Sequence, residues 1–155
     1  MKRDNCRLCH SKNLALVSDL GKTPIGDLYL PEKQELETFP LQLYLCKDCG
    51  LAQLLTIINP SDIYKKYIYR SGDSLGLVKH FENYAKTILE KIQPEKDALI
   101  VDIGSNDGSF LKAFKAAGLQ VQGIDPAEQI AQEATNAGIP TIPNFFNTDS
   151  AEKIK

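Results

Sequence analysis

The sequence has no long apolar run, no surplus of positive charge and only two histidines in 155 residues. Each scarcity excludes something. No stretch approaches the ~18 consecutive apolar residues of a membrane-spanning helix, so no membrane role is expected. No apolar run follows the basic residues of the first ten, MKRDNCRLCH. The expectation is an unexported, cytoplasmic chain. The 18 Lys and Arg nearly balance 20 Asp and Glu, for a net charge of -2. Residues 1–58 carry 7 basic and 7 acidic groups, residues 59–93 carry 6 and 4, and residues 94–155 carry 5 and 9. No segment offers the dense positive field that a phosphate backbone requires, so no nucleic-acid partner is expected. What remains, 43% hydrophobic and 25% charged residues, is the composition of a folded globular chain.

The four cysteines fall in two pairs, Cys6-Arg7-Leu8-Cys9 and Cys46-Lys47-Asp48-Cys49. Two CxxC steps match a tetrahedral, all-thiolate zinc site, because each tight turn presents two sulfurs to one ion. Gly50 follows Cys49 and can adopt the positive φ that folds the chain back toward the sulfurs. Two disulfides or a redox pair are the alternatives, the former disfavoured without an export signal. A site with four protein ligands keeps no position for substrate, so the zinc is read as structural. His10 is read as a surface residue. Leu41, Leu43 and Leu45 alternate with Gln42 and Tyr44, which predicts a strand entering the second pair. Residues 51–58 predict a strand leaving it, hence a hairpin with zinc at its turn. Residues 1–58 are too few for a large core, so metal supplies much of the folding free energy.

Residues 59–94 read as a connecting helical segment. Asn59-Pro60-Ser61-Asp62 is a helix-start signal, followed by the tyrosine run Tyr64, Tyr67 and Tyr69. Those rings are either core packing at a helix end or a polar aromatic patch facing substrate. Leu77, Val78, Phe81, Tyr84, Ala85, Ile88, Leu89 and Ile92 fall on one helical face, with Asp73 or Ser74 as cap and Pro94 beyond the end. His80 lies off that face.

Residues 98–103 read as a buried parallel strand. The loop Gly104-Ser105-Asn106-Asp107-Gly108 follows, then a helix stopping at Gly118. A second strand, 119–124, ends in Asp125, and Pro126 opens a further helix. Residues 139–142 begin a third strand. In such a unit glycines let a ligand approach the backbone, and the acid ending the second strand accepts from ribose hydroxyls. Asp125 lies 21 positions after Gly104, near the ~20 expected for that role. A nucleoside-containing cofactor is the natural ligand. A dinucleotide loop would read GxGxxG. Asn106 replaces its second glycine here, and the Asp107 carboxylate would repel a pyrophosphate but attract a sulfonium. The residues favour S-adenosylmethionine over NAD, and a plain α/β unit without ligand stays open.

Taken in order, CRLC near the start, LGKTPIGD at 20–27, FPLQLYLCKDCGLAQL at 39–54, YIYRSGDS at 67–74, VDIGSNDGSFL at 101–111 and GIDPA at 123–127 carry a family resemblance. The chain resembles the N-terminal part of the zinc-containing, S-adenosylmethionine-dependent sugar C-methyltransferases, which act on nucleotide-linked deoxysugars. The resemblance implies an α+β zinc-binding module (1–58), the connecting segment (59–94) and a partial α/β Rossmann-like class I methyltransferase domain (95–155). It implies zinc ligation by Cys6, Cys9, Cys46 and Cys49. It places the cofactor on Gly104, Ser105, Asn106, Asp107 and Gly108, with Asp125 and Pro126. It implies Tyr69, then Tyr67, as active-site tyrosines, with Ser71 and His80 as further candidates. The implied reaction removes a proton beside a sugar ketone, and the enolate takes the methyl group.

The family runs to ~400 residues and a sheet of about seven strands, so the chain is expected to be an N-terminal fragment, inactive by itself. The unpaired sheet edge then invites self-association or a partner. Two other readings stand beside it. One is a zinc-ribbon adaptor without cofactor. The other is an NAD-dependent enzyme fragment.

Overall fold

The structure, a computed structural model, describes residues 1–26, 30–65 and 67–154. Asp27, which ends the LGKTPIGD stretch, and Lys66, inside the tyrosine run, lie outside the described residues. The chain divides into two compact units, Met1–Ile63 and Tyr64–Lys155.

The first unit is an antiparallel sheet of three strands in the order β1-β2-β3. They are β1 (Leu14–Thr23), β2 (Phe39–Cys46) and β3 (Ala52–Leu54). Cys46 closes β2, and the second cysteine pair forms the turn into β3. β1 breaks register twice, between Leu16 and Ser18 and between Asp19 and Lys22. Bulges of this kind twist a strand and interrupt its alternation. The apolar interior is thin: among the described residues, Cys6, Cys46 and Leu55 are its buried apolar ones. Gln53, also buried, spends its amide on the first cysteine turn. It accepts from the Arg7 N–H at 3.0 Å and donates to the Asn5 carbonyl at 3.4 Å. α1 (Pro60–Tyr64) is a single short helix, begun where the Ser61 N–H donates to Asn59 Oδ1.

The second unit begins with an irregular run and then α2 (Leu75–Ile92). Ser74 caps α2 by accepting from the Leu77 N–H, and Gln93 ends it in the left-handed region, one residue before Pro94. β4 (Leu99–Ile103), α3 (Ser109–Ala116), β5 (Gln120–Ile124), α4 (Glu128–Asn136), β6 (Thr141–Ile142) and α5 (Thr148–Glu152) follow. The strands form a parallel sheet in the order β4-β5-β6. Parallel neighbours need crossovers, and α3 and α4 supply them.

The core is built from Ala85 of α2, Leu111 and Phe114 of α3, Val121 of β5, Ala134 of α4 and Ile139. Ile88, Leu89 and Ile100 pack against it, so the apolar face of α2 is used as its periodicity requires. Phe110 joins α2 to α3: its ring stacks on Tyr84 at 5.7 Å and meets Phe114 edge-on at 5.1 Å.

The sequence reads β4 as a buried strand, and the structure corrects this. Ile100 and Asp102 are half-buried, whereas Leu99, Val101 and Ile103 are exposed. β4 is an edge strand of the described sheet, and one of its faces is left partly open to solvent. A parallel strand is apolar on both faces because both are ordinarily covered.

Candidate functional site

The first candidate centre is the four-cysteine cluster. The ligand atoms of Cys6, Cys9, Cys46 and Cys49 all lie within 4.8 Å of one another. Cys6 and Cys49 sulfurs are 3.6 Å apart, and those of Cys9 and Cys46 are 3.5 Å apart. The edge of a tetrahedron with Zn–S bonds of ~2.3 Å is about 3.8 Å. The cluster therefore fits zinc, and all four thiols are free of disulfides. Two ligands, Cys6 and Cys46, are buried, and two, Cys9 and Cys49, are exposed.

Four sulfurs this close cannot all ionise without a cation. The backbone N–H of Cys9, together with other hydrogen bonds, outweighs burial and pulls the Cys6 thiol down to about 6. At Cys49 the Leu51 N–H pulls downward, but burial and the other sulfurs push the thiol up to about 12. A divalent ion removes that conflict, because it binds the thiolate form of each.

Behind the cluster Asp48 joins the two cysteine turns. Its carboxylate accepts from Ser11 Oγ and from Asn13 Nδ2, the latter at 2.7 Å. These bonds hold its carboxyl below the usual carboxylate range, Ser11 first and Asn13 second. His10 is exposed and takes a positive φ of 62° in the first turn. It is not among the clustered ligands.

The second centre is a cleft of about 350 Å³ at the carboxyl ends of β4 and β5. Gly104, Asn106, Asp125 and Pro126 line one side, and Tyr64, Tyr67, Phe145 and Phe146 supply aromatic walls. The carboxyl ends of parallel strands are where open α/β sheets bind ligands. A wider groove of about 760 Å³ lies between α2 and α3, floored by Ala85, Ala113, Ala116 and Ala117. It holds neither the Gly104 turn nor Asp125, so the smaller cleft is the better ligand site.

Asp125 organises the cleft. It is buried, and its two oxygens accept from the backbone N–H groups of Asn106 and Ala127, each at 2.8 Å. A carboxylate has about four acceptor positions, so capacity for further donors remains. Nearby Asp102 is half-buried, and burial pushes its carboxyl above the usual range, with the Asp125 charge adding to the effect.

The structure separates the residues named from the sequence. Tyr67, Gly104, Asn106, Asp125 and Pro126 meet around the cleft; Ser105, Asp107, Gly108, Tyr69 and His80 are not in its lining. Ser105 is buried beneath the loop, and its hydroxyl lies where a Cβ on Gly123 would fall. Asp107 Oδ1 accepts from the Ser109 N–H at 3.0 Å and Oδ2 from the Gly72 N–H at 2.8 Å. Both its oxygens are thus engaged by backbone. Gly108 adopts φ +73° at the start of α3, facing Ile139. Tyr69 meets Tyr67 edge-on at 6.4 Å. His80 is exposed on α2, stacked on Tyr84 at 5.9 Å.

Sequence reasoning missed Phe145 and Phe146. They follow β6 in an irregular stretch with no periodicity to flag them. Their pairing with the tyrosines is visible only in space: Phe145 meets Tyr64 edge-on at 6.5 Å.

Residues 6–64 match a family model described as a putative zinc binding domain. Over 154 residues, 97% of its length, the chain is 32% identical to the C-methyltransferase NovU of Streptomyces niveus. The chain is thus similar to that protein along nearly all of its own length. It spans 37% of the length of that relative. Among the described residues no helix is long and apolar enough to cross a membrane.

Proposed function

We propose that Tyr64–Lys155 carries the S-adenosylmethionine cleft of a Rossmann-like methyltransferase domain, and that the zinc module is structural. The observation that carries this reading is the charge of the cleft. Asp125 is the one charged residue in its described lining, and no Lys, Arg or His is there. Asp125 suits the ribose of either cofactor, but a dinucleotide also brings two phosphates, and the lining holds no cation to meet them. A sulfonium cofactor brings a positive charge, which a carboxylate and aromatic faces both attract.

In this reading Asp125 accepts from ribose hydroxyls, Gly104 lets the ligand approach the backbone, and Tyr64, Tyr67 and Phe145 close over its apolar part. The cofactor, when bound, supplies an electrophilic methyl group. The substrate is a nucleotide-linked keto-deoxysugar, deprotonated beside its ketone to an enolate whose carbon is methylated. Support for that substrate is the kinship to a C-methyltransferase together with the order of the sequence motifs. Of Tyr67 and Tyr69, Tyr67 is the better placed to orient substrate, because it lines the cleft.

Titration calorimetry of the zinc-loaded chain tests the reading, with S-adenosylhomocysteine as ligand and NADH as control. Binding of the former alone is the expected result. Preference for NADH overturns the cofactor assignment. Binding of neither favours the adaptor reading.

A further inference from the structure

We infer that Arg70 and Glu133 are positioning residues that set the tyrosine wall of the cleft, acting through the strap of residues 67–72. The ligand part of this inference rests on the proposed cofactor reading. The strap itself does not.

Residues 67–70 lack regular structure, and a short 3-10 turn spans Ser71–Asp73. No residue of this run is buried, and Ile68 and Tyr69 are nearly half exposed. Apolar packing therefore contributes little to its position. Besides the Tyr67 N–H bond to the Tyr64 carbonyl at 3.2 Å and the Tyr67 ring contact with Tyr64, side-chain bonds tie it at two further places. At the glycine loop, Asn106 Nδ2 donates to the Tyr69 carbonyl at 2.9 Å, and Asn106 Oδ1 accepts from the Ser71 N–H at 2.9 Å. The Gly72 N–H donates to Asp107 Oδ2 at 2.8 Å. A side chain at residue 72 would displace that contact, since its Cβ would fall 2.6 Å from Asp107 Oδ2.

The second anchor reaches α4. Arg70 Nε and Nη2 donate to the two carboxylate oxygens of Glu133 at 2.6 and 2.7 Å. This is the two-pronged geometry that fixes direction as well as distance. Arg70 Nη1 also donates to the Ile68 carbonyl at 3.2 Å, stiffening the strap next to Tyr67. Gln129 Nε2 donates to Glu133 Oε1 at 3.0 Å and holds the carboxylate in place.

Neither Arg70 nor Glu133 lines the cleft. Their loss removes no ligand contact but loosens the segment that carries Tyr67. With one side-chain anchor gone, the strap should populate open states more often. Apparent affinity then falls by the fraction of chains that remain closed.

The test uses the full zinc-loaded chain with Arg70→Ala, Glu133→Ala and the exchanged pair Arg70→Glu with Glu133→Arg. Hydrogen exchange is read in ligand-free protein, and S-adenosylhomocysteine affinity in parallel. Each single variant should speed exchange in residues 67–72 by about tenfold, with α3 and β5 unchanged. The exchanged pair should restore much of the protection. Affinity should weaken by about tenfold in the single variants. Unchanged exchange in the strap overturns the inference. So does acceleration spread equally over α3 and β5, which marks a merely structural bridge. A loosened strap with undiminished affinity overturns the positioning role. Failure of the unaltered chain to bind, with the exchange pattern as expected, strikes the cofactor reading and leaves the anchor supported.

Discussion

Asp125 accepts a hydrogen bond from the backbone N–H of Asn106 at 2.8 Å, and this one bond ties the end of β5 to the turn after β4. Asn106 sits in the left-handed region with φ 51°, which asparagine tolerates better than most residues. The other Asp125 oxygen takes the Ala127 N–H at the start of α4. Removing the carboxylate strands both donors in a buried place. Asp125→Ala should cost on the order of 2–4 kcal/mol, since each unmet buried donor costs about 1–3. Asp125→Asn keeps one acceptor and should cost about half as much. Urea unfolding followed by a probe in the second unit measures both.

Metal removal should act on the first unit selectively. Among its described residues the buried apolar ones are too few to hold it without the ion, so a chelator should abolish amide protection in residues 1–58 while α3 and β5 stay protected. Retention of protection throughout would count against a structural metal. Asp48 supplies a finer test, because it bonds residues of the opposite cysteine turn without being a ligand. Asp48→Ala should weaken zinc affinity by about tenfold, the usual effect of losing a group that orients ligands. Competition with a chromogenic chelator reads it directly.

The elements legible in the sequence were those whose pattern is local. α2 shows its apolar face, its Ser74 cap and the Pro94 beyond its end. The β2–β3 hairpin shows alternation on one side of a CxxC turn, and the glycine loop sits between a strand and a helix in the order found. β1 was not legible because two register breaks erase its alternation. β3 ends at Leu54, short of the strand read through Ile58, with only an isolated bridge between Lys2 and Thr56 beyond it. In the cleft, Gly104 and Asp125 follow from spacing. The contribution of Phe145 and the diversion of Asp107 to the Gly72 backbone depend on residues 35 or more positions apart or on an irregular run. No local pattern encodes either.

Gly108 can be set against Gly118 to separate strain from crowding. Both have positive φ, +73° and +89°. A Cβ at Gly118 meets nothing within 4 Å, whereas one at Gly108 falls 2.8 Å from Ile139 Cγ2. Gly118→Ala should cost about 1 kcal/mol from backbone strain alone. Gly108→Ala adds overpacking of a buried neighbour and should cost about 2–4 kcal/mol in all. Equal losses in urea unfolding would show that Ile139 yields freely.

The Arg70–Glu133 pair also predicts an acid dependence with a definite sign. Arg70 and, second, Gln129 hydrogen-bond the Glu133 carboxylate and hold its pKa at about 2, well below the usual glutamate range. The folded state thus favours the ionised form more than the unfolded chain does. The resulting stability is fully present above the unfolded pKa and is lost as pH falls through the folded one. Arg70 stays protonated throughout, so the loss belongs to the carboxylate alone. The melting temperature of the unaltered chain should exceed that of Glu133→Gln by a constant margin above about pH 5.5, narrowing as pH falls and vanishing only below about pH 2. Both side chains are about one-third exposed, at 33% and 39%, so added salt should shrink the margin at every pH. A margin that widens on acidification would mean that Glu133 is not held ionised by Arg70.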